Sequence, residues 1–201
     1  MNIGIIGAAA VGETLAAEFI RAGNDVLLSN RRGPTSLTTL IHKLGPKAKA
    51  ATLAQAAACD LVVLAIPWIN VAQLLPGLPK WQGRILIDAT NTFLNYLPDY
   101  KVADLGEDSG SEIVARLAAD AKVIKAFNTL PIAGFFNAVP DGYRRVTFLA
   151  GDDVDAKNSV KGLISSMGLA PIDLGPLGRG GRLMQLRGVF NGVELLAAVD
   201  H

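Results

Sequence analysis

The segment Gly7-Ala8-Ala9-Ala10-Val11-Gly12 follows a short apolar run and leads into an amphipathic stretch. Small residues at such a junction suit a dinucleotide pyrophosphate. Gly7 permits a tight turn and Gly12 permits a helix to pack closely on a strand. The backbone N–H groups between them face an anion at the positive end of the helix dipole. The usual pattern carries a further glycine in the middle. Ala9 stands there, and its methyl group narrows the approach of backbone to phosphate without closing it. Spaced glycines alone are a weak signal. A strand at Asn2–Ile6, a helix over 12–22 and a second strand at Asp25–Ser29 make the pattern specific.

The tip of the second strand selects the cofactor. An NAD site places an acidic residue there for the ribose 2′-hydroxyl. This chain has Ser29-Asn30-Arg31-Arg32, with no carboxylate until Asp60. A guanidinium pairs bidentately with a 2′-phosphate and stacks on adenine. Elsewhere two arginines would only solvate a turn; here Asn30, Arg31 and Arg32 point to NADP(H).

Three further segments at strand ends should line the same crevice: Ala65-Ile66-Pro67-Trp68, Asp88-Ala89-Thr90-Asn91 and Asn128-Thr129-Leu130-Pro131. Asn91 could bind the nicotinamide ribose or amide, or simply cap a turn. Trp68 could stack near the cofactor or fill the core. Asn128 and Thr129 could cap the short helix that Pro131 begins. Carbonyl reduction requires a proton donor, yet Asp88 and Lys125 lie within strands. His42 and His201 read as bystanders, and no Tyr-x-x-x-Lys occurs. No cluster has metal-ligand spacing, so no metal is expected. Hydride transfer between two stacked rings mainly needs positioning and exclusion of water. Asn128, Thr129 and Trp68 are therefore candidates for an acceptor site.

The elements that must place these residues alternate between strand and helix. Further strands are expected at 48–51, 61–66, 84–88, 123–127, 146–150 and 171–174. Helices are expected over 34–44, 53–58, 69–75, 111–119, 153–167 and 181–198. Near-continuous apolar strands such as Leu-Val-Val-Leu-Ala-Ile suit a sheet covered on both faces. The expected fold is α/β: a Rossmann-type, doubly wound, mostly parallel sheet with helices on both faces, forming one NADP-binding domain over 1–201. The long irregular stretch 91–110 reads as a functional or mobile loop.

Of the 201 residues, 50% are hydrophobic and 18% charged, with net charge +1, which gives no reason to expect nucleic acid or a membrane surface as partner. The single cysteine, Cys59, excludes an intrachain disulfide and fits a reducing, cytoplasmic location. The opening strand leaves no room for a signal peptide, and no apolar run reaches a membrane span. Gly188 and Gly192, four apart in an apolar stretch, suggest a final helix at a homodimer interface.

With Gly7–Gly12, Asn30-Arg31-Arg32 and Ile66-Pro67-Trp68 in hand, the chain resembles the NADPH-dependent deazaflavin (coenzyme F-420) oxidoreductases. The resemblance continues through Gly151-Asp152-Asp153, Gly175-Pro176-Leu177 and Arg182-Leu183. Ala126-Phe127-Asn128-Thr129 is also similar to the reductase domain of the six-transmembrane metalloreductases, which passes hydride from NADPH to a flavin. The resemblance implies that Ala9, Ala10, Val11, Asn30 and Arg31 hold NADP. It further implies that residues around 66–68 and 128–131 border the nicotinamide and the acceptor ring. The family carries histidine where this chain has Asn128, and glycine where it has Ala9. The expected activity is hydride transfer between NADPH and a small redox acceptor, F-420 or FMN/FAD. The alternatives are reduction of a small carbonyl, imine or quinone, and a non-enzymatic NADP(H) sensor.

Overall fold

The computed structural model describes residues 1–95 and 99–199. His201 therefore lies outside the described residues.

The first half alternates as expected. It runs β1 (Asn2–Ile6), α1 (Ala10–Arg21), β2 (Asp25–Ser29), a 3-10 turn Pro34–Leu37, α2 (Thr38–Leu44), β3 (Ala48–Ala50), α3 (Leu53–Ala57) and β4 (Leu61–Leu64). A 3-10 turn Trp68–Asn70 leads into α4 (Val71–Leu74), and β5 (Ile85–Asp88) follows. The chain continues through a hairpin, β6 (Phe93–Asn95) and β7 (Lys101–Val102), to α5 (Gly110–Leu117), β8 (Lys122–Ala126) and α6 (Ile132–Phe135). It closes with β9 (Tyr143–Gly151), α7 (Val154–Ser166), β10 (Ala170–Asp173), a π-helical turn Leu177–Gly181, α8 (Arg182–Met184) and β11 (Leu196–Ala198).

The main sheet has the order β10-β9-β8-β5-β4-β1-β2-β3. The run from β3 to β8 is parallel throughout; β9 runs antiparallel to β8, and β10 is parallel to β9. The order reverses beside β1, between β1 and β4. Such a switch point opens a crevice at the carboxyl ends of the strands.

Strand alternation builds two cores. Ile3, Ile5, Leu61 and Val63 pack on one face against Leu15 and Phe19 of α1 and Leu163 and Ile164 of α7. Ile6, Val62, Leu64 and Leu86 pack on the other against Ala56 of α3, Val71 of α4 and Val114 of α5. This is why β4 reads Leu-Val-Val-Leu with every residue buried. Gly4 is needed because α3 lies directly over it: a Cβ there would stand 1.9 Å from the Ala56 carbonyl oxygen.

The C-terminal segment corrects the expectation. No helix spans 181–198; only Arg182–Met184 is helical, and Leu196–Ala198 is a strand paired antiparallel with Tyr143–Arg145 of β9. The cause is turn chemistry. Arg187 and Gly192 both adopt left-handed backbone, with φ of 69° and 81°. The chain folds back on α8 so tightly that a Cβ on Gly188 would stand 2.4 Å from the Arg182 carbonyl oxygen. The glycine spacing thus serves an intrachain fold-back. The expected loop 91–110 contains the β6–β7 hairpin. Among the described residues, no helix is long and apolar enough to cross a membrane.

Candidate functional site

A crevice of about 570 Å³ opens where the turns after β1, β2 and β4 converge. Gly7, Ala8 and Ala9 form its floor. Asn30, Arg31 and Arg32 form one rim, and Ala65, Ile66 and Pro67 form the opposite wall. Nine of the residues expected from sequence therefore meet in one place.

The floor has the geometry of an anion cradle. Gly7 has φ of 115°, and a Cβ there would stand 2.0 Å from the Ala65 carbonyl oxygen, so only glycine fits. A Cβ on Gly12 would stand 1.9 Å from the Gly7 carbonyl oxygen, which lets α1 lie against the end of β1. Ala9 is the N-cap of α1, and no side chain caps its first turn. The N–H groups beside Ala10 and Val11 are thus left for a ligand, and an anion there gains roughly 0.3–1 kcal/mol from the dipole. Glu13, the acid of that turn, is engaged by Lys43 at 2.6 Å.

The rim is cationic. Asn30 is fixed by Ser36, whose Oγ accepts from Asn30 Nδ2 at 3.0 Å; Gly33 turns the chain with φ of 86°. Arg31 and Arg32 are exposed, and among the described residues neither pairs with a carboxylate. Cradle and rim together fit a phosphorylated dinucleotide such as NADP(H).

The second group of expected residues gathers beyond the crevice, at the ends of β5 and β8. Asn91 Nδ2 donates to the Asn128 carbonyl at 3.0 Å, and Asn128 Nδ2 donates to Asn91 Oδ1 at 3.1 Å. Phe127, left-handed with φ of 62°, turns the chain so that Asn128 faces Asn91. Such strain in a non-glycine residue costs on the order of 1–3 kcal/mol and is found where local geometry matters.

Asn128 and Thr129 are buried, 3% and 4% exposed, beneath the C-terminal segment. Asn128 Nδ2 also donates to the Met184 carbonyl at 2.9 Å, and Gly192 N donates to the Thr129 carbonyl at 2.7 Å. Asn128 Oδ1 is buried without a donor among the described residues. Trp68 stands outside the crevice wall. It is half-buried, with its ring against Gly110, where a Cβ would lie 3.5 Å from it. Leu130 packs at the edge of the core formed by α1 and α7.

Behind the two asparagines lies a buried ion pair. Asp88 and Lys125, partners across β5 and β8, are 0% and 3% exposed. Lys125 Nζ lies 3.1 Å from Asp88 Oδ2, which also accepts from Ser111 Oγ at 2.6 Å. Asp88 Oδ1 accepts from the Thr90 N–H at 2.9 Å and from Thr90 Oγ1 at 2.7 Å, while Lys125 Nζ donates to the Thr90 carbonyl. Burial pulls the Lys125 ammonium below its ordinary range, against the opposing pull of the Asp88 carboxylate. Ser111 is placed by the capping box of α5, in which Ser109 Oγ accepts from the Glu112 N–H and the Glu112 carboxylate accepts from the Ser109 N–H.

Sequence reasoning missed Asn70 and Gln73, which also line the crevice. Asn70 ends the 3-10 turn and Gln73 lies on α4; two polar residues three apart in an otherwise apolar stretch were the available signal. Among the described residues, no group of three or more His, Cys, Asp or Glu could hold a metal.

The sheet topology and the crevice at its switch point define a Rossmann-type fold. The family model described as NADP oxidoreductase coenzyme F420-dependent matches residues 2–92, a little under half of the chain. It is 39% identical to a structure of a hypothetical protein from Sinorhizobium meliloti, with TM-score 0.89 over 98% of this chain and 96% of that one. It is 26% identical to a provisional F420-dependent NADP reductase from Arthrobacter sp. FB24, with TM-score 0.72 over 88% of this chain and 86% of that one. Metalloreductase STEAP3 of Rattus norvegicus is 26% identical over 178 residues, 88% of this chain. The chain spans about a third, 34%, of that relative's length.

Proposed function

We propose that the protein is an NADP(H)-dependent oxidoreductase that moves hydride between the nicotinamide and a planar flavin-like or deazaflavin acceptor. The observation that carries this reading is the pairing of the uncapped α1 N-terminus with the free guanidiniums of Arg31 and Arg32 on one crevice. The first suits a pyrophosphate and the second a 2′-phosphate. The similarity to an F420-dependent NADP reductase and to a metalloreductase supports the same chemistry.

NADPH, when bound, supplies the hydride. Each part of the chain then has a task. Residues Gly7–Gly12 hold the pyrophosphate, and Asn30, Arg31 and Arg32 hold the adenosine end. Ile66 and Pro67 give an apolar wall that keeps water off the ring. The half-exposed Asn91, backed by Asn128, receives the nicotinamide end. Trp68 borders the acceptor, and the buried Asn128 and Thr129 back that edge from beneath the C-terminal segment. A carbonyl or imine reductase needs a proton donor at the crevice. The two titratable candidates, Asp88 and Lys125, are instead buried and paired with each other, which favours transfer between rings.

Residues 1–201 act as one NADP-binding unit, and two copies associate through the C-terminal segment. There Val189, Leu195 and Leu196 are exposed apolar residues. The test is an absorbance assay of NADPH oxidation across deazaflavin, FMN, FAD, quinones and small carbonyls. Turnover with ring acceptors is expected. Tight NADPH binding with no oxidation by any acceptor would mark a sensor instead.

A further inference from the structure

The Asp88–Lys125 pair is more than core filling. Its hydrogen bonds converge on one residue. The N–H and Oγ1 of Thr90 donate to Asp88, and the carbonyl of Thr90 accepts from Lys125. Every polar group of Thr90 is therefore held by this one pair. Ser111 of α5 fixes Asp88 from the opposite side at 2.6 Å. The next residue is Asn91, which exchanges two hydrogen bonds with Asn128. Asn128 itself lies three residues beyond Lys125 on the same chain, after the left-handed turn at Phe127. The contacts close a ring: Asp88, Thr90, Asn91, Asn128 and back along β8 to Lys125.

A buried ion pair is a weak way to gain stability, because desolvation offsets most of the attraction. Apolar residues of the same shape would fill this place as well. They could not supply the donor that Lys125 gives the Thr90 carbonyl. We propose that Asp88 and Lys125 are positioning residues. They lock the Thr90-Asn91 turn against the buried Asn128, so that the half-exposed Asn91 carboxamide presents one rigid polar edge to the nicotinamide end of the cofactor. This rests on the reading of the crevice as an NADP(H) site.

The test uses the full chain and three variants: Lys125→Met, Asp88→Asn, and the two combined. Each single variant leaves a buried group without its partner and should lower the thermal midpoint. The double variant removes both charges and should recover most of that midpoint. The decisive readout is a pair of affinities, for NADPH and for adenosine 2′,5′-bisphosphate, which carries only the adenosine half. In the wild type NADPH should bind more tightly than the half-molecule. In the double variant the half-molecule should bind as before, while NADPH should weaken by about tenfold, the loss of a positioned hydrogen-bonding edge. Turnover should fall with it.

A double variant that recovers both its thermal midpoint and its NADPH affinity would show that the pair acts only through stability, and would overturn the proposal. Equal weakening of NADPH and the half-molecule would overturn it too, since the effect would not be confined to the nicotinamide end. A wild type that binds neither probe would overturn the underlying NADP(H) reading, and the proposal with it.

Discussion

Gly12 lies so close to Gly7 that a Cβ on Gly12 would stand 1.9 Å from the Gly7 carbonyl oxygen. The clash is with backbone, so no rotamer change relieves it. Gly12→Ala must push α1 away from the end of β1 and shift the free N–H groups of its first turn. Overpacking of this kind costs ~1–3 kcal/mol. A lower denaturant midpoint together with weaker NADPH binding is expected. A variant with unchanged midpoint and unchanged affinity would show that the contact is not needed.

Asn128 joins the Asn91 turn to the C-terminal segment through its two Nδ2 hydrogen bonds. Asn128→Ala leaves the Met184 carbonyl and Asn91 Oδ1 short of a donor, at a typical cost of ~1–3 kcal/mol. Faster amide hydrogen exchange over 182–192 and a lower turnover number are expected, with affinity for the adenosine half intact. Native exchange rates and native turnover would remove Asn128 from the site.

Much of this was legible because it is local. The turn from β1 into α1, the tip Asn30-Arg31-Arg32 and the continuous burial of β4 are each written in a few consecutive residues. What was misread depends on distant pairing. Gly188 and Gly192 lie four apart, a spacing that serves a helix contact and a tight fold-back equally well. The fold-back shows only once Arg182, Leu183 and Gly188 are seen together. Leu196–Ala198 is a strand because Tyr143–Arg145 lies beside it, more than fifty residues earlier. Asp88 and Lys125 are 37 residues apart and meet only because β5 and β8 are neighbours. The burial of Asn128 and Thr129 likewise follows from the C-terminal segment lying over them.

The exposed Val189, Leu195 and Leu196, at 68%, 42% and 40%, should be covered in a homodimer. Light scattering at micromolar concentration should give twice the chain mass. Leu196→Glu places a charge on that surface and should return the monomer without loss of NADPH binding. A wild-type monomer would contradict the association.

In the proposed function the crevice takes NADP(H) through its cationic rim of Asn30, Arg31 and Arg32. Calorimetric titration with NADPH and NADH, on the wild type and on Arg31→Ala, tests it most directly. NADPH should bind the wild type much more tightly than NADH. Loss of a charge-assisted contact costs about 1.5–3 kcal/mol, so Arg31→Ala should weaken NADPH by roughly tenfold or more and leave NADH nearly unchanged. Equal affinities of the wild type for the two cofactors would contradict the claim.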